Sequence, residues 1–182
     1  DKDTTGLMVV AKTNRAHSSL AAQFEAHSVD RAYRAIVWGV PTPRLGKITG
    51  NIGRNRRNRT KMSVTVEERG KWALTCYRTL ATLDDAVSLV ECRLATGRTH
   101  QIRVHLSHIG HPLIGDPIYG GKVRFPKKAS QEIKHALQDF KRQALHSKKI
   151  TLIHPDTGKL MSWKVELPKD MKKLLEVLNI FD

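Results

Sequence analysis

The stretch Ala95-Thr96-Gly97-Arg98-Thr99-His100-Gln101-Ile102-Arg103-Val104-His105-Leu106 sets a strand end directly against a helix start. Before Gly97 the residues have strand character. After it, Ile102, Leu106 and Ile109 recur at helical spacing until Gly110 and Pro112 stop the helix. On that helix His100, Arg103 and Ser107 fall on a face turned away from the apolar stripe, where an arginine reaches outward to an anion. The free N–H groups of a first helical turn also favour an anion. Taken alone, the same pattern describes an amphipathic helix whose polar face is merely solvated.

The chain carries 32 Lys and Arg against 17 Asp and Glu over 182 residues, a net charge of +15. Such an excess points to a polyanion, most simply RNA. There is no apolar run of the length a membrane-crossing helix needs, and the cations do not share a helix with a bulky apolar face. This length suits one domain, 1–182, with a sizeable core. Cys76 and Cys92 lack CxxC spacing and lie in strand-like stretches, so they read as small apolar residues in a protein of the reducing cytoplasm.

In chain order, Leu7 to Lys12 reads as a strand. A helix capped by Asn14 runs to about His27 over Leu20, Ala21 and Phe24. Arg31 to Val40 alternates as a strand, Pro41 and Pro43 end it, and Gly46 to Gly53 reads as turn-rich. Arg54-Asn55-Arg56-Arg57-Asn58-Arg59-Thr60-Lys61 holds five cations and no acid. Arginines interleaved with asparagines suit phosphates and base edges, although a charge run is commonly a solvated loop. Leu74 to Leu83 and Ala86 to Leu94 form a hairpin about Asp84-Asp85. A basic link over 122–128 leads to a helix from Ser130 to about Lys141, strands Lys148 to Ile153 and Leu160 to Leu167, and a last helix burying Met171, Leu174, Leu175 and Leu178. Strands and helices mix without a βαβ rhythm, so the fold class is α+β with a mixed, mostly antiparallel central sheet flanked by helices. His100, His105, His108 and His111 lack cysteine or carboxylate partners at zinc-like spacing, so no metal site is expected.

Gly97-Arg98-Thr99-His100-Gln101-Ile102-Arg103-Val104-His105, followed by Gly110-His111-Pro112-Leu113-Ile114-Gly115-Asp116 and Tyr119-Gly120, resembles the third motif of the RluA-type pseudouridine synthases. The opening Asp1-Lys2-Asp3-Thr4-Thr5-Gly6 is similar to that family's first motif, Arg31-Ala32-Tyr33-Arg34-Ala35 to its second, and Arg142-Gln143-Ala144-Leu145-His146-Ser147 to its closing one. The resemblance spans nearly the whole chain and implies the pseudouridine synthase fold. It puts the nucleophilic aspartate at Asp1, a tyrosine lying against the target base at Tyr33, and at Arg103 a cation that keeps Asp1 ionised. Without it, Asp1 and Asp3 simply open a loop, and Tyr33 is a strand tyrosine of the core.

The implied reaction detaches uracil from its ribose, turns it and rejoins it through carbon, without metal, nucleotide or redox cofactor. The uridine has to be flipped out of the RNA, at a cost that phosphate contacts offset. Arg54, Arg56, Arg57, Arg59, Lys61, Arg98 and His100 are the expected RNA-binding residues, contributing salt-sensitive affinity more than catalysis. The tail from Gly120 to Lys169 is most similar to the branch acting on large-subunit (23S) ribosomal RNA. Transfer RNA is the alternative substrate, and a non-catalytic RNA-binding or ribosome-assembly factor the alternative function. A monomer is expected. The chain opens at Asp1 with a motif already under way, so a longer protein is expected, with an N-terminal S4-type RNA-binding domain that this chain lacks.

Overall fold

The computed structural model describes residues 1–66, 69–121 and 123–181. Its elements are β1 (Thr5–Gly6), α1 (Asn14–Glu25), β2 (Asp30–Trp38), β3 (Leu45–Arg54), β4 (Met62–Thr65), β5 (Lys71–Leu83), β6 (Val87–Leu94), α2 (Gln101–His108), α3 (Gln131–Asp139), β7 (Leu145–Ile153), β8 (Leu160–Lys164) and α4 (Lys169–Val177). The strands form one eight-stranded sheet in the order β1-β7-β2-β6-β5-β3-β4, with β8 also paired to β7. β1 runs parallel to β7, and the other ladders are antiparallel. This is the expected α+β architecture.

β2 and β6 are apolar on both faces because both faces are covered. Ile36, Trp38, Val87 and Leu89 meet α3 through Leu137 and α4 through Met171, Leu174 and Leu175. Ala35, Val37, Val90 and Cys92 face α2 through Ile102 and Leu106. Burial pushes the Cys92 thiol up to about 12, and both cysteines are free, so Cys92 serves as a small apolar filler. α1 lays Leu20 and Phe24 against Ile150 and Leu152.

Several boundaries depart from the sequence reading. The passage from Gly46 to Gly53 is the interior of β3. Its glycines mark close approaches rather than turns: a Cβ at Gly46 would stand 2.7 Å from the Tyr77 hydroxyl, one at Gly50 2.8 Å from Val64 Cγ1, and one at Gly53 2.3 Å from the Arg69 carbonyl oxygen. Leu7 to Lys12 is extended but unpaired beyond Leu7, and only Thr5 and Gly6 join the ladder. The cap of α1 is Thr13, whose Oγ1 accepts from Ala16 N–H at 3.1 Å, and Asn14 is the first helical residue. α1 stops at Glu25, α2 starts only at Gln101, and β8 stops at Lys164. Lys122, at the start of the basic link, lies outside the described residues.

His105, on the buried side of α2, is fully buried, its Nδ1 3.0 Å from Thr75 Oγ1, and burial lowers its pKa to about 4. The unfolded chain therefore takes up a proton first as the pH drops. Stability is full above about pH 6.5 and declines between there and about pH 4, by an amount on the order of 2–3 kcal/mol. Urea titrations across that range check this. His105→Gln should flatten the decline, leaving the parts due to His146 and His100, whose pKa values burial also lowers.

Candidate active site

The first six residues are tied to the strand that carries the closing motif. Gln143, 1% exposed, donates through Nε2 to the Lys2 carbonyl at 2.5 Å and to Thr4 Oγ1 at 3.1 Å. Arg142 Nη1 reaches the Asp3 carbonyl at 3.3 Å, and Leu7 N–H donates to the Ser147 carbonyl at 2.9 Å. Asp3 takes a left-handed φ of 68°, and Thr4 N–H closes a turn onto the Asp1 carbonyl at 3.3 Å. The Asp1 carboxylate thereby comes to α2 from across the sheet.

Arg103 does not point outward, as the helical face had suggested; its side chain is 3% exposed. Its Nε and Nη2 donate to the two carboxylate oxygens of Asp116 at 2.7 and 2.9 Å, a fork-to-fork pair. Nη1 remains, and lies 3.5 Å from Asp1 Oδ2. Burial alone would raise the Asp116 pKa. The hydrogen bonds from Arg103 and from the N–H groups of Tyr119 and Ile118 outweigh it, holding the carboxyl below its usual range. Asp116 thus neutralises a cation that would be costly to bury alone, leaving one of its donors for Asp1.

His100, Arg103 and Ser107 do share a face, and the segment Asp116 to Tyr119 covers it. The Arg103 guanidinium sits over the Tyr119 ring at 5.0 Å, Ser107 Oγ is 3.4 Å from the Tyr119 carbonyl, and His100 Nδ1 is 2.9 Å from the Tyr119 hydroxyl. That hydroxyl accepts from Met62 N–H at 2.9 Å, so its own proton is available for His100 Nδ1. The assigned tautomer then carries its proton on Nε2, 3.9 Å from Asp1 Oδ1. Burial and the nearby Arg103 both lower the His100 pKa, so at neutral pH this contact is a dipole beside a carboxylate rather than an ion pair.

The turn from strand to helix is fixed by Gln101. Its Oε1 accepts from Thr96 Oγ1 at 2.7 Å and from Arg98 N–H at 2.9 Å, while its Nε2 donates to the Leu74 carbonyl and Thr75 Oγ1, both at 3.0 Å. Every donor and acceptor of the amide is used. Tyr33 sits at a register shift where β2 pairs with β7, a local bend that re-aims a side chain. Asp1, Tyr33, His100 and Gln101 line one cleft of about 170 Å³ together with Arg31 and Arg98. That is well below the roughly 300–1,000 Å³ of small-molecule sites, a size for part of a larger substrate. A larger cleft of about 400 Å³, bounded by the segment from Leu7 to Thr13, α1 and β8, is mainly apolar and holds none of these residues.

Arg54, at the end of β3, and Arg56, Arg57 and Arg59, in the loop joining β3 to β4, are exposed. Both asparagines spend their side-chain oxygens on the loop itself: Asn55 accepts from the N–H groups of Arg57 and Asn58, and Asn58 from Thr60. Lys61 donates to the Ile118 carbonyl at 2.9 Å, anchoring the base of the loop to the segment that covers Arg103. Arg98 is half-buried, its Nε bonded to the Trp72 carbonyl at 3.1 Å. Among the described residues no three His, Cys, Asp or Glu come together in a group that could hold a metal ion. Asp116, Tyr119, Gln101 and Gln143 received no role from sequence, although each lies within a quoted motif; only the fold shows what they touch.

This sheet and its flanking helices are shared with two solved human structures. Human RNA Pseudouridylate Synthase Domain Containing 4 superposes with a TM-score of 0.77 at 27% identity, covering 98% of this chain and 73% of its own. Human RNA Pseudouridylate Synthase Domain Containing 1 gives 0.71 at 26%, covering 98% and 77%. The class is that of RNA-modifying synthase domains. Residues 1–108 match the RNA pseudouridylate synthase family, and the chain belongs to it. Similar curated proteins include the ribosomal large subunit pseudouridine synthase D of Pseudomonas aeruginosa, 52% identical over 179 residues and 98% of this chain. Those of Zymomonas mobilis, 50% identical over 180 residues and 99% of this chain, and Escherichia coli K12, 46% over 179 residues and 98%, are also similar. The chain spans about half the length of these relatives, 54–55%.

Proposed function

We propose that this protein isomerises uridine to pseudouridine in large-subunit ribosomal RNA, with Asp1 as the nucleophile, or as the group that starts glycosidic cleavage. The observation that carries the reading is the placement of the Asp1 carboxylate in one cleft with Tyr33, 3.5 Å from a buried arginine already neutralised by Asp116. Arg103 orients Asp1 and balances its charge, so the carboxylate needs no proton to sit in the cleft. Tyr33 stacks on the uracil, and its hydroxyl assists proton removal at the rejoining carbon. His100, held by Tyr119, presents an N–H toward the far oxygen of Asp1. The β3–β4 loop, with Arg98, holds the RNA backbone while the base is out of its stack. The substrate class rests on the relatives, whose names specify the ribosomal large subunit. Residues 1–182 act as the catalytic part, as a monomer, in the cytoplasm; among the described residues no helix is long and apolar enough to cross a membrane.

Tritium release from RNA labelled at uracil carbon 5 tests this, with large-subunit ribosomal transcript and bulk transfer RNA side by side. Release from the ribosomal transcript alone is expected; release from transfer RNA alone moves the substrate class. Tyr33→Phe keeps the ring and loses the hydroxyl, so kcat should fall about 10²–10⁴-fold, the usual worth of a positioned acid or base, with KM nearly unchanged. Full activity of this variant would leave Tyr33 with stacking alone.

A further inference from the structure

The cleft contains a second arginine that the reading above does not use. Arg31 lies on β2 two residues before Tyr33, and it is 8% exposed. Its guanidinium rests on the Phe24 ring at 5.2 Å and has no carboxylate partner among the described residues; its Nε is buried without any acceptor. Arg103 is buried as well, at 3% exposed, yet it is matched by Asp116 and faces Asp1. Asp1 is the one acid among the residues lining the cleft. Burial lowers the Arg31 pKa, and among the described residues no carboxylate offsets that desolvation.

The sequence makes room for this group. A Cβ at Gly97 would stand 2.7 Å from Arg31 Nη1, so any side chain there would displace the guanidinium from the cleft wall. Gly97 therefore lets a cation lie against the turn that leads into α2. Two residues of strand separate Arg31 from Tyr33, roughly 7 Å. A base stacked on Tyr33 meets Arg31 through what is attached to it, and in a nucleotide that is the sugar and its phosphodiester. A buried, unneutralised guanidinium is best matched by a full negative charge in a two-pronged geometry, which a phosphate provides and a uracil carbonyl does not.

We propose that Arg31 is a phosphate-binding residue of the cleft, receiving the phosphodiester of the uridine whose base enters against Tyr33. This rests on the pseudouridine synthase reading and adds the contact that fixes the flipped nucleotide relative to Asp1. Because Arg31 has no carboxylate partner among the described residues, its charge is matched when RNA is bound, and substrate entry relieves its desolvation.

The test uses the full-length protein and its Arg31→Met, Arg31→Gln and Arg31→Lys variants. Equilibrium binding to large-subunit ribosomal transcript and tritium release from the same RNA are each followed across a series of potassium chloride concentrations. Arg31→Met should lower kcat/KM about ten- to a hundredfold, the worth of a charge-assisted hydrogen bond. It should also flatten the log–log salt slope by about 0.7–0.9, the share of one phosphate. Arg31→Lys should restore the slope and part of the rate. Arg31→Gln carries the same comparison if the methionine variant does not fold. A slope equal to that of the unsubstituted protein in the Met or Gln variant overturns the proposal, because packing on Phe24 or a contact to the base would leave it unchanged. If the unsubstituted protein releases no tritium, the enzymatic reading fails, and the binding slopes decide Arg31 by themselves.

Discussion

Asp1→Asn in the full-length protein is expected to lower turnover at least about 10⁴-fold, the scale on which removing a nucleophile acts. Asparagine keeps the shape of aspartate and can still accept from Arg103 Nη1, so the cleft keeps its form. What disappears is the negative charge that attacks or abstracts. The fold should hardly be affected, because Arg103 retains both oxygens of Asp116 and no buried charge is left alone. RNA affinity should stay within a few-fold, or tighten, because the variant removes an acid from a surface that meets phosphates. Single-turnover tritium release and filter binding on the same preparation measure the two effects. Loss of binding in parallel with rate would make Asp1 a structural or RNA-contacting residue instead.

The second large effect is on stability. Asp116→Ala removes the partner of a 3%-exposed arginine and leaves the N–H groups of Ile118 and Tyr119 without their acceptor. Breaking a buried pair from one side costs about 3–5 kcal/mol, which for a chain of this size lowers Tm by roughly 10 °C. Activity should fall as well, because Asp1 would become the sole counter-charge of Arg103 and Tyr119 would lose its anchor. The pair also has a defined pH limit. Since the folded-state pKa of Asp116 is depressed, its contribution is complete above the ordinary carboxylate value of 3.8 and is lost as the pH falls through the lower folded value. Thermal melts between about pH 2 and pH 4 should show an acid limb that is weaker in Asp116→Asn. An Asp116→Ala protein as stable as the parent would mean that Arg103 finds another acceptor.

Periodicity alone exposed the fold class and the course of α2, because an apolar stripe at helical spacing has few other outlets. The direction of Arg103 was not legible in that way. The three residues on the polar face of α2 are correctly grouped by spacing, but whether such a face is wet depends on what crosses it, here the segment Asp116 to Tyr119. Glycine misled the reading of β3 for a related reason. Gly46 and Gly50 have no need of a special φ; they are there because Tyr77 and Val64 press against the strand, a requirement set by residues far along the chain. Asp1, Tyr33 and Arg103 could be named from motif resemblance, yet nothing in the sequence says that Gln143 ties down the loop bearing Asp1. Arg31 lies within the second motif, and the resemblance gives it no role. Its distinguishing property, burial without a carboxylate partner among the described residues, exists only in three dimensions.

Isomerisation of a uridine in this cleft without cutting of its strand can be read from the product RNA. Ribosomal transcript is incubated with the full-length protein, checked for length on a denaturing gel, then digested to nucleosides and separated by chromatography. Full-length RNA that contains pseudouridine, formed equally with and without a chelator, is expected from the parent protein, and none from Asp1→Asn. Shortened RNA, or full-length RNA that is bound but contains no pseudouridine, would contradict isomerisation in this cleft.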